Sequence, residues 1–178
     1  LDLGSGWDAG RLRRRATLTL NTDLARVVED LASARPHWFQ NVPVVLDRIR
    51  TGVNQAFARR SGIVRDLWSA AWRATRDRHA GTKPSTRDRL ALALSGLVLF
   101  PAVRQRIGDD LRALVCGSAP LSVDTQLFFE MLGIPVLQVY GLTETCAICT
   151  MDSPREVEVG RVGRAIDGTE MRVSADGE

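Results

Sequence analysis

The chain has 178 residues, of which 44% are hydrophobic, and it carries 24 basic against 21 acidic side chains for a net charge of +3. Such apolar content excludes a disordered chain and allows one sizeable core, so a single domain or a portion of one is expected. The small basic excess gives no footing for nucleic acid, and no run reaches the roughly 20 apolar residues that a membrane span needs.

The longest apolar stretch, Leu90 to Val103, is interrupted by Ser95, Gly96 and Pro101. Three cysteines without secretory context suggest reduced thiols and a cytoplasmic location. Leu1 at the start and the turn-like Ala175-Asp176-Gly177-Glu178 at the end lead us to expect an internal piece of a longer chain.

In chain order, residues 1–15 read as loop, with Gly4, Gly6, Gly10 and a basic patch of Arg11, Arg13, Arg14 and Arg15. Ala16-Thr17-Leu18-Thr19-Leu20 alternates like a short strand. Asn21, Thr22 or Asp23 can cap a helix carrying Leu24, Val27, Val28 and Leu31 on one face and ending before Pro36. His37 to Val42 is strand-like. Pro43 then suits the first turn of a helix with Val45, Leu46, Ile49 and Val53 as its apolar stripe.

Residues 61–107 differ in texture. Two helical stretches rich in Arg, Ala, Leu and Trp flank the polar loop Ala80 to Thr86, which suggests a helical insertion. The α/β rhythm returns with Leu111 to Cys116 as a buried strand, the turn Gly117-Ser118-Ala119-Pro120, and a helix through Phe128 and Met131. Ile134 to Gln138 follows as a second strand, and then Tyr140-Gly141-Leu142-Thr143-Glu144-Thr145. A strand, helix and strand joined by this crossover imply parallel pairing, and ligands of such sheets collect at the carboxyl ends of the strands. The expected class is therefore α/β, a parallel sheet flanked by helices. Both glycine-bearing turns, 117–120 and 140–145, fall at that edge.

These residue types carry chemistry of their own. Gly117 with small neighbours lets backbone approach a flat ligand, Tyr140 offers a ring face, and Thr143 with Glu144 offers a hydroxyl and a hard anionic oxygen. The set suits a nucleotide with magnesium. Read alone, the same residues also serve as a core tyrosine and a helix cap.

Val139-Tyr140-Gly141-Leu142-Thr143-Glu144-Thr145 resembles the Tyr-Gly-x-Thr-Glu signature of the adenylate-forming superfamily, which includes acyl-CoA synthetases, aryl-CoA ligases, luciferases and peptide-synthetase adenylation domains. Leu111 to Ser122 resembles the strand and small-residue turn of that family. Val159-Gly160-Arg161-Val162-Gly163-Arg164-Ala165, Glu170 to Val173 and Asp176-Gly177-Glu178 resemble its next segment, and Ala34 to Pro43 fits upstream, so the resemblance covers residues 22–178. The long helical stretch before Leu111 is most similar to long-chain fatty acyl-CoA synthetases.

The resemblance implies an internal fragment, over 1–178, of the large adenylating domain, with 61–107 as its helical insertion. It implies that Gly117, Ser118 and Ala119 border the adenine, that Gln138 and Val139 line the nucleotide pocket, and that Tyr140 stacks on the base beside Gly141. Thr143 would contact phosphate and Glu144 would hold magnesium. The implied reaction joins a fatty acid to ATP as an acyl-adenylate and passes the acyl group to coenzyme A. A lipidic substrate also suggests peripheral contact with the inner face of the membrane.

The sequence departs from the family motif at Val139, where many relatives carry Gly, and a β-branched side chain there would narrow the pocket. The family's Gly- and Thr-rich phosphate loop, its ribose-binding Asp and its catalytic Lys have no counterpart in these residues. Lys83 is the only lysine and sits in the inter-helix loop, so the chain alone is expected to lack ligase activity.

Other readings were weighed on their residues. An aryl-CoA ligase or a carrier-protein-loading adenylation domain would share the same motifs. Asp2-Leu3-Gly4-Ser5-Gly6 resembles the turn of methyltransferases that use S-adenosylmethionine, but almost no strand precedes it and Arg11 to Arg15 make a poor buried helix. Cys146 and Cys149 have zinc spacing with Cys116 as a third thiol, yet His37 and His79 lie far off in sequence. A non-enzymatic reading makes residues 11–15 and the helices of 59–89 an Arg-rich module for acidic surfaces or anionic lipid.

Overall fold

A computed structural model describes residues 17–23 and 25–175. The Asp2 to Gly6 turn, the Arg11 to Arg15 patch, Leu24, the side chain of Val28 and the Asp176 to Glu178 turn lie outside the described residues.

Residues 17–20 do not form the expected strand: they are extended chain with no ladder partner among the described residues, and Leu18 and Leu20 are exposed. Alternation alone cannot hold a strand that has no neighbour to pair with. The first helix, α1 (Val27–Ala34), starts later than the capping residues suggested. Asp23 instead shapes the turn before it, its carboxylate accepting from the amide of Ala25 at 2.9 Å. Arg35 ends α1 in the left-handed region with φ of 44°, and Pro36 forbids continuation.

Strand β1 (Trp38–Asn41) leads into α2 (Pro43–Ala58), which has Pro43 in its first turn and buries Val45, Leu46 and Ile49. Residues 61–107 then form three helices where two were expected: α3 (Gly62–His79), α4 (Thr86–Val98) and α5 (Phe100–Ile107). The third arises because Pro101, in the first turn of α5, cannot extend α4, and the pair bends by 47°. No single helix among the described residues is long and apolar enough to cross a membrane.

Strand β2 (Ala113–Cys116), helix α6 (Val123–Met131) and strand β3 (Val136–Tyr140) complete the crossover predicted from sequence. Strand β3 is shifted toward its C-terminus, so that Tyr140 is its last residue. Two short strands follow, β4 (Thr150–Met151) and β5 (Arg164–Ala165). The sheet order is β1-β2-β3-β4-β5, parallel across the first three strands and antiparallel across the last two, so the sheet is mixed rather than purely parallel. The reversal comes from the tight loop after Tyr140, which returns the chain without a crossover.

One sheet face presents Leu114, Cys116 and Val136 to the helices, where they join Leu46, Ile49, Trp68, Phe100, Ile107 and Phe128 in the main core. The opposite face buries Ala113, Val115 and Leu137 under Val139 and Val157. Helices α3 and α5 contribute to the main core. Trp68 of α3 stacks on Phe57 at 4.0 Å between ring centres, meets Phe100 and Phe128 edge-on, and donates its indole N–H to Asn54 at 3.0 Å.

Candidate functional site

The carboxyl ends of β2 and β3 are neighbours because Cys116 pairs with Gln138, and the two expected turns leave the sheet side by side from there. Ser118 takes a positive φ of 70°, turning the chain sharply after Gly117. Ser118, Ala119, Tyr140, Gly141, Thr143 and Glu144 are exposed along this edge, and Val139 is partly covered.

Both glycines are used by the protein itself. A Cβ at Gly117 would collide with the Cγ2 methyl of Val139 and lie 3.1 Å from the Val139 carbonyl, so the missing side chain makes room for the valine that departs from the family motif. At Gly141 an added Cβ would overlap the carbonyl of Ala147 and come within 2.8 Å of the Ile148 Cα, where the loop folds back on its own start. Gln138 lies inward. Its side-chain amide donates to Gln126 Oε1 at 3.1 Å and to the Arg161 carbonyl at 2.8 Å, and Gln126 Oε1 also accepts from the amide of Gly160 at 2.8 Å.

The loop after Tyr140 is organised by Thr145. Its hydroxyl accepts from the amide of Leu142 at 2.8 Å and faces the carbonyls of Leu142 and Ala147 at 3.0 and 3.2 Å. Tyr140 closes the loop, its carbonyl accepting from the Cys149 amide at 2.9 Å. With the internal bonds carried by Thr145 and the backbone, the side chains of Thr143 and Glu144 have no protein partner among the described residues. The Glu144 carboxylate is an exposed hard anion on an ordered loop, a donor suited to magnesium. The ring of Tyr140, 40% exposed, keeps a free surface beside it.

Asp47, Thr125, Gln126 and Asp152 support this edge and carried no sequence signal, because isolated polar residues inside apolar periods read as ordinary surface. Thr125 of α6 donates its hydroxyl to Asp47 of α2, and the cap residue Ser122 donates its own to Thr125 at 2.8 Å, tying the end of the 117–122 turn to both helices. Beneath it, burial and the Asp47 charge push the Cys116 thiol up to about 12. Asp152 is almost wholly buried and accepts from the backbone amide of Gln138 at 3.3 Å; burial raises its carboxyl above the usual range, against the lowering effect of its backbone hydrogen bonds.

The zinc arrangement is not assembled. No group of three or more His, Cys, Asp or Glu able to hold a metal comes together among the described residues, and Cys146 is exposed while Cys149 and Cys116 are buried.

The family profile described as "AMP-binding enzyme" matches residues 10–178. Long chain acyl-CoA synthetase 8 of Arabidopsis thaliana is 34% identical over 137 residues, which is 75% of this chain and 19% of that protein. Long chain acyl-CoA synthetase 3 of the same plant is 28% identical over 155 residues, 86% of this chain and 23% of the relative. Fatty acyl-CoA synthetase B of Dictyostelium discoideum is 26% identical over 152 residues, 85% of this chain and 22% of the relative. The chain thus spans about a fifth of the length of these relatives.

Among solved structures, the O-succinylbenzoate coenzyme A synthetase MenE of Bacillus subtilis, in complex with ATP and magnesium ion, superposes with a TM-score of 0.53 at 16% identity, covering 98% of this chain and 27% of that one. The anthranilate CoA ligase AuaEII, in complex with anthranoyl-AMP, gives 0.53 at 18% identity over 92% of this chain and 23% of that one. At such identities these likenesses establish the α/β fold.

Proposed function

This chain belongs to the AMP-binding enzyme family of adenylate-forming ligases, and we propose that it contributes the adenine- and magnesium-facing edge of an ATP-dependent long-chain fatty acid–CoA ligase. One observation carries the reading. The Gly117–Pro120 turn and the Tyr140–Thr145 loop leave adjacent parallel strands, and Thr145 holds the second with Tyr140, Thr143 and Glu144 exposed, their side chains without hydrogen-bond partners among the described residues.

The roles follow from what each group offers. Tyr140 supplies a flat apolar surface for the adenine, and Ser118 and Ala119 border the same base beside Gly141. Gln138 and Val139 shape the pocket from below, Gln138 through the buried amide network that fixes the end of β3 and Val139 through the methyl packed on Gly117. Thr143 donates its hydroxyl to a phosphate oxygen, and Glu144 is the magnesium ligand. When bound, magnesium supplies positive charge against the phosphate oxygens as the carboxylate attacks and pyrophosphate leaves.

In the first half-reaction, a fatty carboxylate oxygen bonds to the α-phosphorus of ATP and pyrophosphate departs, giving the acyl-adenylate. In the second, the thiol of coenzyme A loses its proton and takes the acyl group, and AMP departs. The residues of this chain act by positioning, a task worth several kcal/mol when donors are fixed in advance. The long-chain assignment is supported by the sequence relatives and the helical insertion. An aryl substrate is favoured by no observation beyond the shared fold. A cytoplasmic enzyme meeting its lipid substrate at the inner face of the membrane completes the proposal.

The half-reaction gives the test. In the complete protein, palmitate should drive exchange of labelled pyrophosphate into ATP, and Glu144→Ala should lower the rate by about 100-fold or more, as expected when charge stabilisation is lost. Exchange driven by benzoate and not by palmitate would sink the long-chain assignment, while unchanged exchange in Glu144→Ala would sink the role given to that residue.

A further inference from the structure

Ser118 takes the left-handed conformation, with φ of 70°, although it is not glycine. A residue keeps that conformation only where its surroundings hold it there. Before it, Cys116 is fixed in the sheet between Asn41 and Gln138, and Gly117 lies against Val139. After it, the chain passes through Pro120 to Ser122, the cap residue from which α6 starts. Whatever fixes Ser122 therefore fixes the far end of the turn.

Three side chains in series do so. The Ser122 hydroxyl accepts from the Thr125 amide at 3.2 Å and donates to the Thr125 hydroxyl at 2.8 Å. Thr125 is fully buried and donates in turn to a carboxylate oxygen of Asp47, 78 residues earlier in the chain. The donors all point one way and end on an anion, so each bond strengthens the next. Arg50 sets a positive charge 3.8 Å from the same oxygen. Helix α2 begins just after β1 ends, α6 begins where the turn ends, and the two helices pack together, so Asp47 reaches the turn from the helical layer beneath it. Its charge adds to burial in pushing up the thiol of Cys116, which puts the carboxylate close to the end of β2.

We propose that Asp47 is a positioning residue for the nucleotide, holding the 117–120 turn in its base-facing shape through the hydroxyls of Thr125 and Ser122. The inference rests on the adenine role proposed for that turn. It also divides the site in two, because the 140–145 loop is held separately by Thr145 and the backbone. Breaking the chain that ends on Asp47 should weaken the grip on the base and leave the loop that bears Glu144 in place.

Calorimetric titration of the complete protein with ATP and magnesium tests it, since one experiment reads both the affinity and the number of working sites. A purely structural role would reduce the number of sites as folded protein is lost and leave the affinity of the rest unchanged. The positioning role predicts the reverse: Asp47→Leu should weaken binding by about tenfold with the full number of sites, as should Thr125→Val, and the double variant should bind no more weakly than either alone because both break one chain. Asp47→Asn keeps an oxygen that accepts from Thr125 and should restore most of the affinity. Ser122→Ala cuts the chain at its exposed end and gives the same reading where a buried substitution prevents folding. Parent-like affinity in Asp47→Leu, or in Ser122→Ala if Asp47→Leu does not fold, would overturn the inference. So would an Asp47→Asn variant as weak as Asp47→Leu, because Asp47 would then act by its charge and not through Thr125. Tyr140→Ala, titrated beside them, separates the two claims. If it alone weakens binding, the positioning role fails and the adenine reading stands; if it too binds like the parent, the nucleotide lies elsewhere and the adenine reading itself has failed.

Discussion

Val139 and Gly117 form the most informative pair of single residues. The methyl of Val139 occupies the place where a Cβ on Gly117 would sit, so Gly117→Ala should cost about 1–3 kcal/mol by overpacking. Adding Val139→Gly should restore most of that loss, and a double-mutant cycle by denaturant unfolding would read the coupling. Additive costs would show that the two residues act separately. The cysteines differ as sharply: exposed Cys146 should react with iodoacetamide at pH 8, while Cys116, buried and with its thiol pushed up to about 12, should resist until the protein unfolds. Rapid modification of Cys116 in the folded protein would contradict its burial. At this scale the sequence singled out Tyr140, Thr143 and Glu144 as candidates through a spaced motif, and the structure leaves all three exposed. It could not reveal that Gln138 lies inward or that Asp152 is buried, because both depend on which face of β3 the helices cover.

Elements were legible where a local rule decides them. Pro43 opened α2, and the crossover between β2 and β3 required parallel pairing. Residues 17–20 failed as a strand because pairing is a tertiary matter, and the α4–α5 break was half visible in Pro101, which had been read only as an interruption of an apolar run. The loop after β3 depends on one hydroxyl. Thr145→Val should loosen it, at a cost of about 1–2 kcal/mol for the lost internal bonds, and should weaken nucleotide binding while Thr145→Ser retains it.

The α3–α4 pair has an acid-sensitive joint. The hydrogen bond from Arg73 holds the Asp88 carboxyl below its ordinary value against the opposing effect of burial, with help from Ser85 and the charges of Arg73 and Arg87. A depressed carboxylate contributes stability that is present above its unfolded value of 3.8 and is lost as pH falls through the lower folded value. Stability should therefore decline more steeply below pH 4 in the parent than in Asp88→Asn, as followed by tryptophan fluorescence. Identical acid limbs would show that the pair does not couple to folding.

Across the whole molecule, the family motif is displayed at the carboxyl edge of the sheet, where β2 and β3 end side by side. The α/β class was readable from the rhythm of the elements, and the motif placed the proposed site at the carboxyl ends of β2 and β3. The reversal to antiparallel β4 and β5 was not, since strands of two residues leave no periodicity to read. Lys83, the sole lysine of the 178 residues, lies in the loop between α3 and α4, away from the carboxyl ends of β2 and β3 in sequence. This chain alone should form no thioester from palmitate, ATP and coenzyme A; steady product from the purified chain would refute that.

The most direct test of the central claim is calorimetric binding of a non-hydrolysable acyl-adenylate mimic with magnesium to the complete protein, to Tyr140→Ala and to Glu144→Ala. The parent should bind, and each substitution should weaken binding by about 1 kcal/mol or more, through a lost stacking surface in one case and a lost metal ligand in the other. Binding unaffected by both substitutions would mean that the Tyr140–Thr145 loop is structural and that the nucleotide is held elsewhere.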